Sequence, residues 1–348
     1  MTAASMSTAL YIGTGPIMGG MPSGDEGIFV FRPDQQDKPR SLGLAGHGGI
    51  RSTIVVDNEN PDRLYAVTSR DGCWRSDDAG ASWSPKNRGL TYKECWSIAQ
   101  HPSTGDIYVG TGPATIFRSS DRGESWMELR ACRMMASVRQ WSFPGPPFLA
   151  HVKAIGLYPD DPNLIFAAVE EGWLLRSEDG GESWENIKDG TEFDSHTVNY
   201  MPGDPKIVVS TSGKGVFRSK DGGDTFAEAS AGLDRRYMVG IAVHPGAPRR
   251  LLTSAAEVPP PFWRRPEGAS AAFYRSDDQG ESWQRVTGGL PEYFHAAPRC
   301  VAGHPTDPDR FFVGMTDGTV WASDDGADSF HQILDGLPPI TALAPIPS

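Results

Sequence analysis

The sequence predicts an all-β fold, a seven-bladed β-propeller of four-stranded antiparallel blades. Three observations carry this expectation. One eight-residue motif recurs six times, each copy sits in the same frame of short apolar strands, and the two chain ends hold complementary leftovers of a seventh unit.

The motif reads Ser-x-Asp-x-Gly-x-Ser/Thr-Trp/Phe. It runs from Ser76 to Trp83, Ser119 to Trp126, Ser177 to Trp184, Ser219 to Phe226, Ser276 to Trp283 and Ser323 to Phe330, with Ala327 replacing the glycine in the last copy. An Asp carboxylate that accepts backbone N–H groups two residues on closes a tight turn. The glycine supplies a backbone angle other residues resist. The closing aromatic ring buries a large apolar surface between neighbouring sheets.

Upstream of each copy lies an apolar strand such as Gly215-Val216-Phe217-Arg218-Ser219, and before it a second apolar run such as Leu164 to Val169. Before that run sits a Pro-bearing turn (Asn60-Pro61, Asp161-Pro162, Asp204-Pro205, Asp307-Pro308), and before the turn a first strand such as Val152 to Leu157. Each unit is therefore four strands with the motif at the turn between the third and fourth. Helical periodicity is almost absent. At the N-terminus, Leu10–Thr14, Gly27–Phe31 and Ser41–Ala45 supply a second, third and fourth strand with no first, while Ile340–Ala344 is a first strand with no unit to follow. Joining them closes the ring and removes exposed sheet edges. The expected organisation is a single domain over 1–348. Blade one comprises 8–45 plus 340–344, and blades two to seven lie near 50–90, 94–130, 151–190, 195–232, 237–290 and 297–337.

These six motifs resemble the Asp-box, or bacterial neuraminidase repeat, over nearly the whole chain. The resemblance implies a propeller and leaves the chemistry open, because fold does not fix function. Proteins sharing the repeat include sialidases, xyloglucan-cleaving glucanases, sortilin-type receptors and photosystem II assembly factors. Sialidases are usually six-bladed and carry an Arg-Ile-Pro motif, which this sequence lacks. Xyloglucan-cleaving enzymes use two propellers flanking a cleft, against one here. Assembly factors are single seven-bladed propellers of about this size.

The 40 Gly and 29 Pro suit many short strands joined by tight turns. A net charge of −12 argues against nucleic acid and against an anionic membrane surface, both of which need clustered Lys and Arg. Cys73, Cys95, Cys132 and Cys300 form neither a CxxC pair nor a zinc spacing. No leader pattern and no long apolar run is visible, so the chain reads as soluble, reduced and cytoplasmic.

Function is expected on the face that carries the irregular insertions: Gly15–Glu26, about 130–150, and Ala255–Ala271. Aligning the first strands sets a ring of polar residues at that mouth: Arg51 and Ser52, Glu94 and Trp96, His151 and Lys153, Asp194 and His196, Arg236 and Tyr237, His295 and Arg299. Farther along, the same strands turn apolar, as at Ile155, Ile241 and Val301. Glu94, His151, Asp194 and His196 are the candidate general acids and bases. Arg51, Lys153, Arg236 and Arg299 would hold an anionic group, and Trp96, Tyr237, Trp141 and Trp263 would stack on a ring. This ring supports a cytoplasmic hydrolase or lyase acting on a small polar or anionic substrate, carbohydrate-derived by resemblance. A noncatalytic protein-interaction or assembly-factor propeller is the alternative, and the charges could instead pair across blades. A third reading is a metal-dependent lyase or oxygenase, with a divalent metal on the central axis held by His47, His151, His196 and His295. His101, His244 and His304 each precede proline in a turn and read as structural.

Overall fold

A computed structural model describes residues 8–16, 24–35, 38–243 and 249–347. His244 and most of the Gly15–Glu26 insertion lie outside the described residues.

Seven four-stranded antiparallel sheets form the chain. Six of them follow the sequence directly, and the first is completed by the C-terminal strand, Ile340–Pro347, which pairs antiparallel along Thr8–Thr14. The first strands of the other blades are Ile50–Val56, Cys95–Gln100, His151–Leu157, Ser195–Met201, Tyr237–Val243 and Pro298–Gly303. Each of these contacts the next, and Ile340–Pro347 contacts both Pro298–Gly303 and Ile50–Val56, so the inner strands make a closed ring. Among the described residues helix is confined to short segments of three to five residues, such as Ala131–Met134 and Pro260–Phe262.

Second strands such as Leu64–Thr68, Ile107–Thr111 and Phe311–Met315 are buried along their whole length, because each is covered on both faces by the neighbouring blades. Blades approach closely there. A Cβ on Gly110 would stand 2.6 Å from Val152 of the next blade, so that position takes only glycine.

The recurring motif closes its turn differently from the sequence expectation. The carboxylate reaches four residues on, not two: Asp221 Oδ1 accepts from Thr225 N at 2.9 Å, and Asp221 Oδ2 accepts from Thr225 Oγ1 at 2.6 Å. The two-residue link runs the other way, with Asp221 N donating to Ser219 Oγ at 3.2 Å. Copies at Asp78, Asp179, Asp278 and Asp325 repeat this arrangement. Ala327, which replaces glycine in the last copy, is held at φ 68. The motif tryptophans also tie blades together: Trp83, Trp126 and Trp283 donate Nε1–H to carbonyls of Leu42, Lys86 and Ala229 in the preceding blade. His101 is fully buried and links its turn to the Tyr158 carbonyl at 3.0 Å. The four cysteines are free and buried.

One irregularity repeats around the ring. Near the start of every inner strand the pairing register slips, leaving residues unpaired: Ser52 and Thr53, Trp96, Lys153, His196, Val239, Arg299 and Thr341. A bulge of this kind bends the strand and re-aims a side chain.

Candidate functional site

All of these bulge residues line one cavity on the central axis, of about 380 Å³. Its deeper wall is apolar, with Ile98, Ile155, Val198, Ile241 and Val301. Arg51, Tyr237 and Trp263 complete the upper lining. The size falls in the range of small-ligand sites.

One side of the cavity is cationic. The Arg51 guanidinium lies 4.3 Å from the centre of the Trp96 ring, and that ring stacks on His151 at 3.5 Å. Phe143, from the long link between blades three and four, packs edge-on to His151 at 4.9 Å. Neither Arg51 nor Arg299 makes an ion pair or hydrogen bond to the described residues, and Arg51 Nε is buried without a partner. Burial, and then repulsion from Arg299, lower Arg51 to about 10, which still leaves it charged at neutral pH.

The opposite side, on blades four and five, centres on a carboxylate that the sequence reading missed. Glu170 ends the apolar second strand Ile165–Glu170 and is 2% exposed. Its Oε2 accepts from Lys153 Nζ at 2.5 Å and from His151 Nε2 at 2.7 Å. Burial alone would raise this carboxyl, but the Lys153 ammonium and the hydrogen bond from His151 outweigh it and hold Glu170 well below its ordinary range. Burial also lowers His151 against the opposing pull of Glu170, so His151 is a neutral imidazole whose Nε2–H donates. The signal in the sequence was a Glu170-Glu171 pair closing an otherwise unbroken apolar run.

His196 Nδ1 meets the Met238 carbonyl at 2.6 Å, and its Nε2 faces Asp194 Oδ1 at 3.1 Å. Tyr237 packs edge-on to His196 at 5.0 Å. Burial, then Glu170 and Asp194, push its phenol well above the usual tyrosine range, so it stays neutral. Glu94 Oε1 accepts from Trp96 Nε1 at 3.1 Å and so orients the ring.

Of the sequence candidates, the structure gathers Arg51, Trp96, Lys153, His196, Tyr237, Trp263 and Arg299 on the cavity, with His151, Asp194 and Glu94 in contact with that lining. It separates the others. Arg236 is an exposed ion-pair partner of Glu228, and it precedes the inner strand Tyr237–Val243, whose first residue lines the cavity. Trp141 packs against the blade-four core. His47 pairs with Asp71 at 2.7 Å and packs on Trp74. His295 bonds the Pro266 carbonyl at 3.2 Å. The four-histidine axial metal site is therefore not assembled: His47 and His295 sit on loops outside the inner strands.

Two of the insertions, about 130–150 and Ala255–Ala271, meet. Phe143, Pro144 and Pro146 from the link, Pro260, Pro261 and Arg264 from blade six, and His295 line an apolar groove of about 520 Å³ that shares Pro260 and Trp263 with the axial cavity. Among the described residues no helix is long and apolar enough to cross a membrane.

The BNR/Asp-box repeat family matches residues 274–285. A xyloglucanase of Hypocrea jecorina (strain QM6a) is 25% identical over 249 residues, 71% of this chain and 25% of that protein. The photosystem II assembly lipoprotein Ycf48 of Synechococcus sp. (strain CC9902) is 22% identical over 284 residues, 80% of this chain and 74% of that protein. Among solved structures, an ancestral GH74 enzyme superposes with a TM-score of 0.64 at 18% identity, covering 95% of this chain and 40% of that one. The chain thus spans about a quarter of the curated xyloglucanases it matches, and likeness at such identity speaks to fold. The chain is a seven-bladed propeller built on the BNR/Asp-box repeat.

Proposed function

We propose that this propeller binds a small anionic molecule, of sugar-acid size, in the axial cavity and acts on it as a hydrolase. The observation that carries the proposal is the pair of unpaired guanidiniums, Arg51 and Arg299, facing one cavity beside Lys153. Two like charges in a confined space repel, and an anion between them relieves that cost through charge-assisted hydrogen bonds. Tyr237 and Trp263, which line the cavity, offer aromatic surface to a sugar ring. The reactive half is the Glu170, Asp194 and His196 group across the cavity. Hydrolysis is the reaction class of the xyloglucanase relatives, and it is the class assigned here. The proposal extends to a cytoplasmic setting, which the four free thiols suit.

Calorimetric titration with glucuronate, galacturonate and inorganic phosphate, against neutral xyloglucan oligosaccharides, tests it. Binding of at least one anion is expected, weakened roughly tenfold to hundredfold by Arg299→Ala, as befits a lost hydrogen bond to a charged group. No binding by any anion, or equal binding by the variant, overturns the anion site. Absence of turnover on glycosides or esters of the bound anion overturns the hydrolase.

A second reading, a scaffold like the assembly-factor relative, is favoured by the apolar groove and by Phe262, which is 58% exposed on the same loop. It predicts that Phe262→Ser abolishes binding of a protein partner while Arg299→Ala leaves that binding intact.

A further inference from the structure

The geometry points to a divalent metal site formed by Glu170, Asp194 and His196. It is distinct from the four-histidine arrangement, and it does not depend on which anion the cavity takes.

The argument begins with a tautomer. His196 Nδ1 lies 2.6 Å from the Met238 carbonyl oxygen, which can only accept, so Nδ1 carries the proton. In a neutral ring Nε2 then presents a lone pair. That lone pair faces two carboxylate oxygens, Asp194 Oδ1 at 3.1 Å and Glu170 Oε1 at 3.9 Å. Three acceptors therefore converge, with ligand atoms all within 4.8 Å of one another. Something positive belongs between them. Ligands about 2.0–2.2 Å from a common ion stand roughly 3 to 4.2 Å apart, and both observed separations fall in that interval.

The surroundings are arranged as supports of a metal site are. A ligating histidine commonly donates its other N–H to a backbone carbonyl, as His196 does to Met238. Glu170 Oε2 is engaged by Lys153 and His151, and Oε1, which accepts no hydrogen bond among the described residues, faces His196. The backbones of Glu170 and Asp194 are joined by an antiparallel bridge, which sets the two residues side by side. Room for the Asp194 head exists because residue 213 is glycine: a Cβ there would stand 2.4 Å from Asp194 Oδ2. Two carboxylates and one imidazole carry a formal charge of −2, which matches a divalent ion. The N,O donor set suits Zn²⁺, Mn²⁺, Fe²⁺ or Co²⁺ and disfavours soft Cu⁺. His196 lines the axial cavity, so the open coordination positions face the space in which an anion would bind. A metal there would polarise an anionic ligand's oxygen or a bound water.

The test uses the full chain stripped of metal by chelator and dialysed. Titration with Zn²⁺ and Mn²⁺, and the absorption spectrum with Co²⁺, report binding directly, with no substrate needed. One equivalent bound with a raised melting temperature is expected, weakened at least tenfold in Asp194→Asn, whose partly exposed side chain makes it the variant least prone to misfold. Gly213→Ala, which crowds Asp194, is expected to weaken the metal while retaining the fold by circular dichroism. Arg299→Ala is expected to lose anion binding and keep the metal, which separates failure of this inference from failure of the anion site. Wild type that binds no ion, or Asp194→Asn that binds it equally well, overturns the assignment. A metal-free protein in which nitrogen-15 spectra show His196 doubly protonated at neutral pH also overturns it, since a proton would then be the positive group.

Discussion

Lys153 and Glu170 meet at 2.5 Å across the first and second strands of blade four, where the carboxylate is buried and the ammonium reaches the cavity. Glu170 has no water to fall back on, so its partners decide its cost. Removing one member of such a pair strands the other, at about 3 kcal/mol or more. Lys153→Met and Glu170→Gln are each expected to lower the urea midpoint by that order. The double variant should cost less than the two single costs combined, with a coupling of about 1–3 kcal/mol. Additive costs in the denaturation cycle would mean that Lys153 gives Glu170 nothing.

The repeated turn gives the fold an acid-sensitive limb. Asp221 is held at about 2 against an ordinary 3.8, chiefly by the Thr225 hydroxyl and then the Thr225 backbone N–H. Because the folded value is the lower one, its contribution is complete above about pH 4 and fades as pH falls toward about 2. Asp121 and Asp179 are held at about 2 by the same kind of contacts. Asp221→Asn is expected to lower the melting temperature at pH 7 and to lose less stability than wild type on going from pH 5 to pH 2.5. Parallel melting curves for the two proteins across that range would refute the assignment.

How much of this was legible in the sequence follows from what kind of signal each feature leaves. The blades were legible because Asp78, Asp121, Asp179, Asp221, Asp278 and Asp325 recur in one local motif, and a local motif needs no partner to be seen. Blade one was legible from a strand missing at one end and spare at the other. The mouth of the cavity was legible only in pairs of neighbouring residues. In Glu94 and Trp96, His151 and Lys153, Asp194 and His196, Arg236 and Tyr237, and His295 and Arg299, the second member lines the cavity. For Trp96, Lys153, His196 and Arg299 the bulge selects it, and a bulge is a property of register between two strands, not of composition. Glu170 was missed because its role comes from blades four and five meeting, which no spacing along the chain encodes.

Ring closure should be separable from blade folding. The strand Ile340–Pro347 covers Thr8–Thr14, whose residues are all buried and, between the two threonines, mostly apolar. Deleting residues 340–348 exposes that edge, and the expected outcome is association, seen as rising light scatter and a broadened melt. A synthetic peptide of residues 338–347 added in excess should dock on the same edge and restore a monomer. A truncated chain that stays monomeric with an unchanged melt would show that blade one closes by other contacts.

Val239 is the one bulge position on the ring filled by an aliphatic side chain, between His196 and Arg299. It faces the cavity from blade six and contributes no charge, so its size can be changed without touching the anion clamp or the Glu170 group. Val239→Trp directs an indole into the 380 Å³ space. Because the ring fills a cavity and displaces no packed core, stability should change by no more than about 1 kcal/mol. Anion affinity should fall at least tenfold, since the site shrinks while Arg51, Lys153 and Arg299 remain in place. Calorimetry and a denaturant melt on the same preparation give both values. Unchanged affinity in a folded Val239→Trp protein would move the anion off the axis and onto the outer face of the propeller.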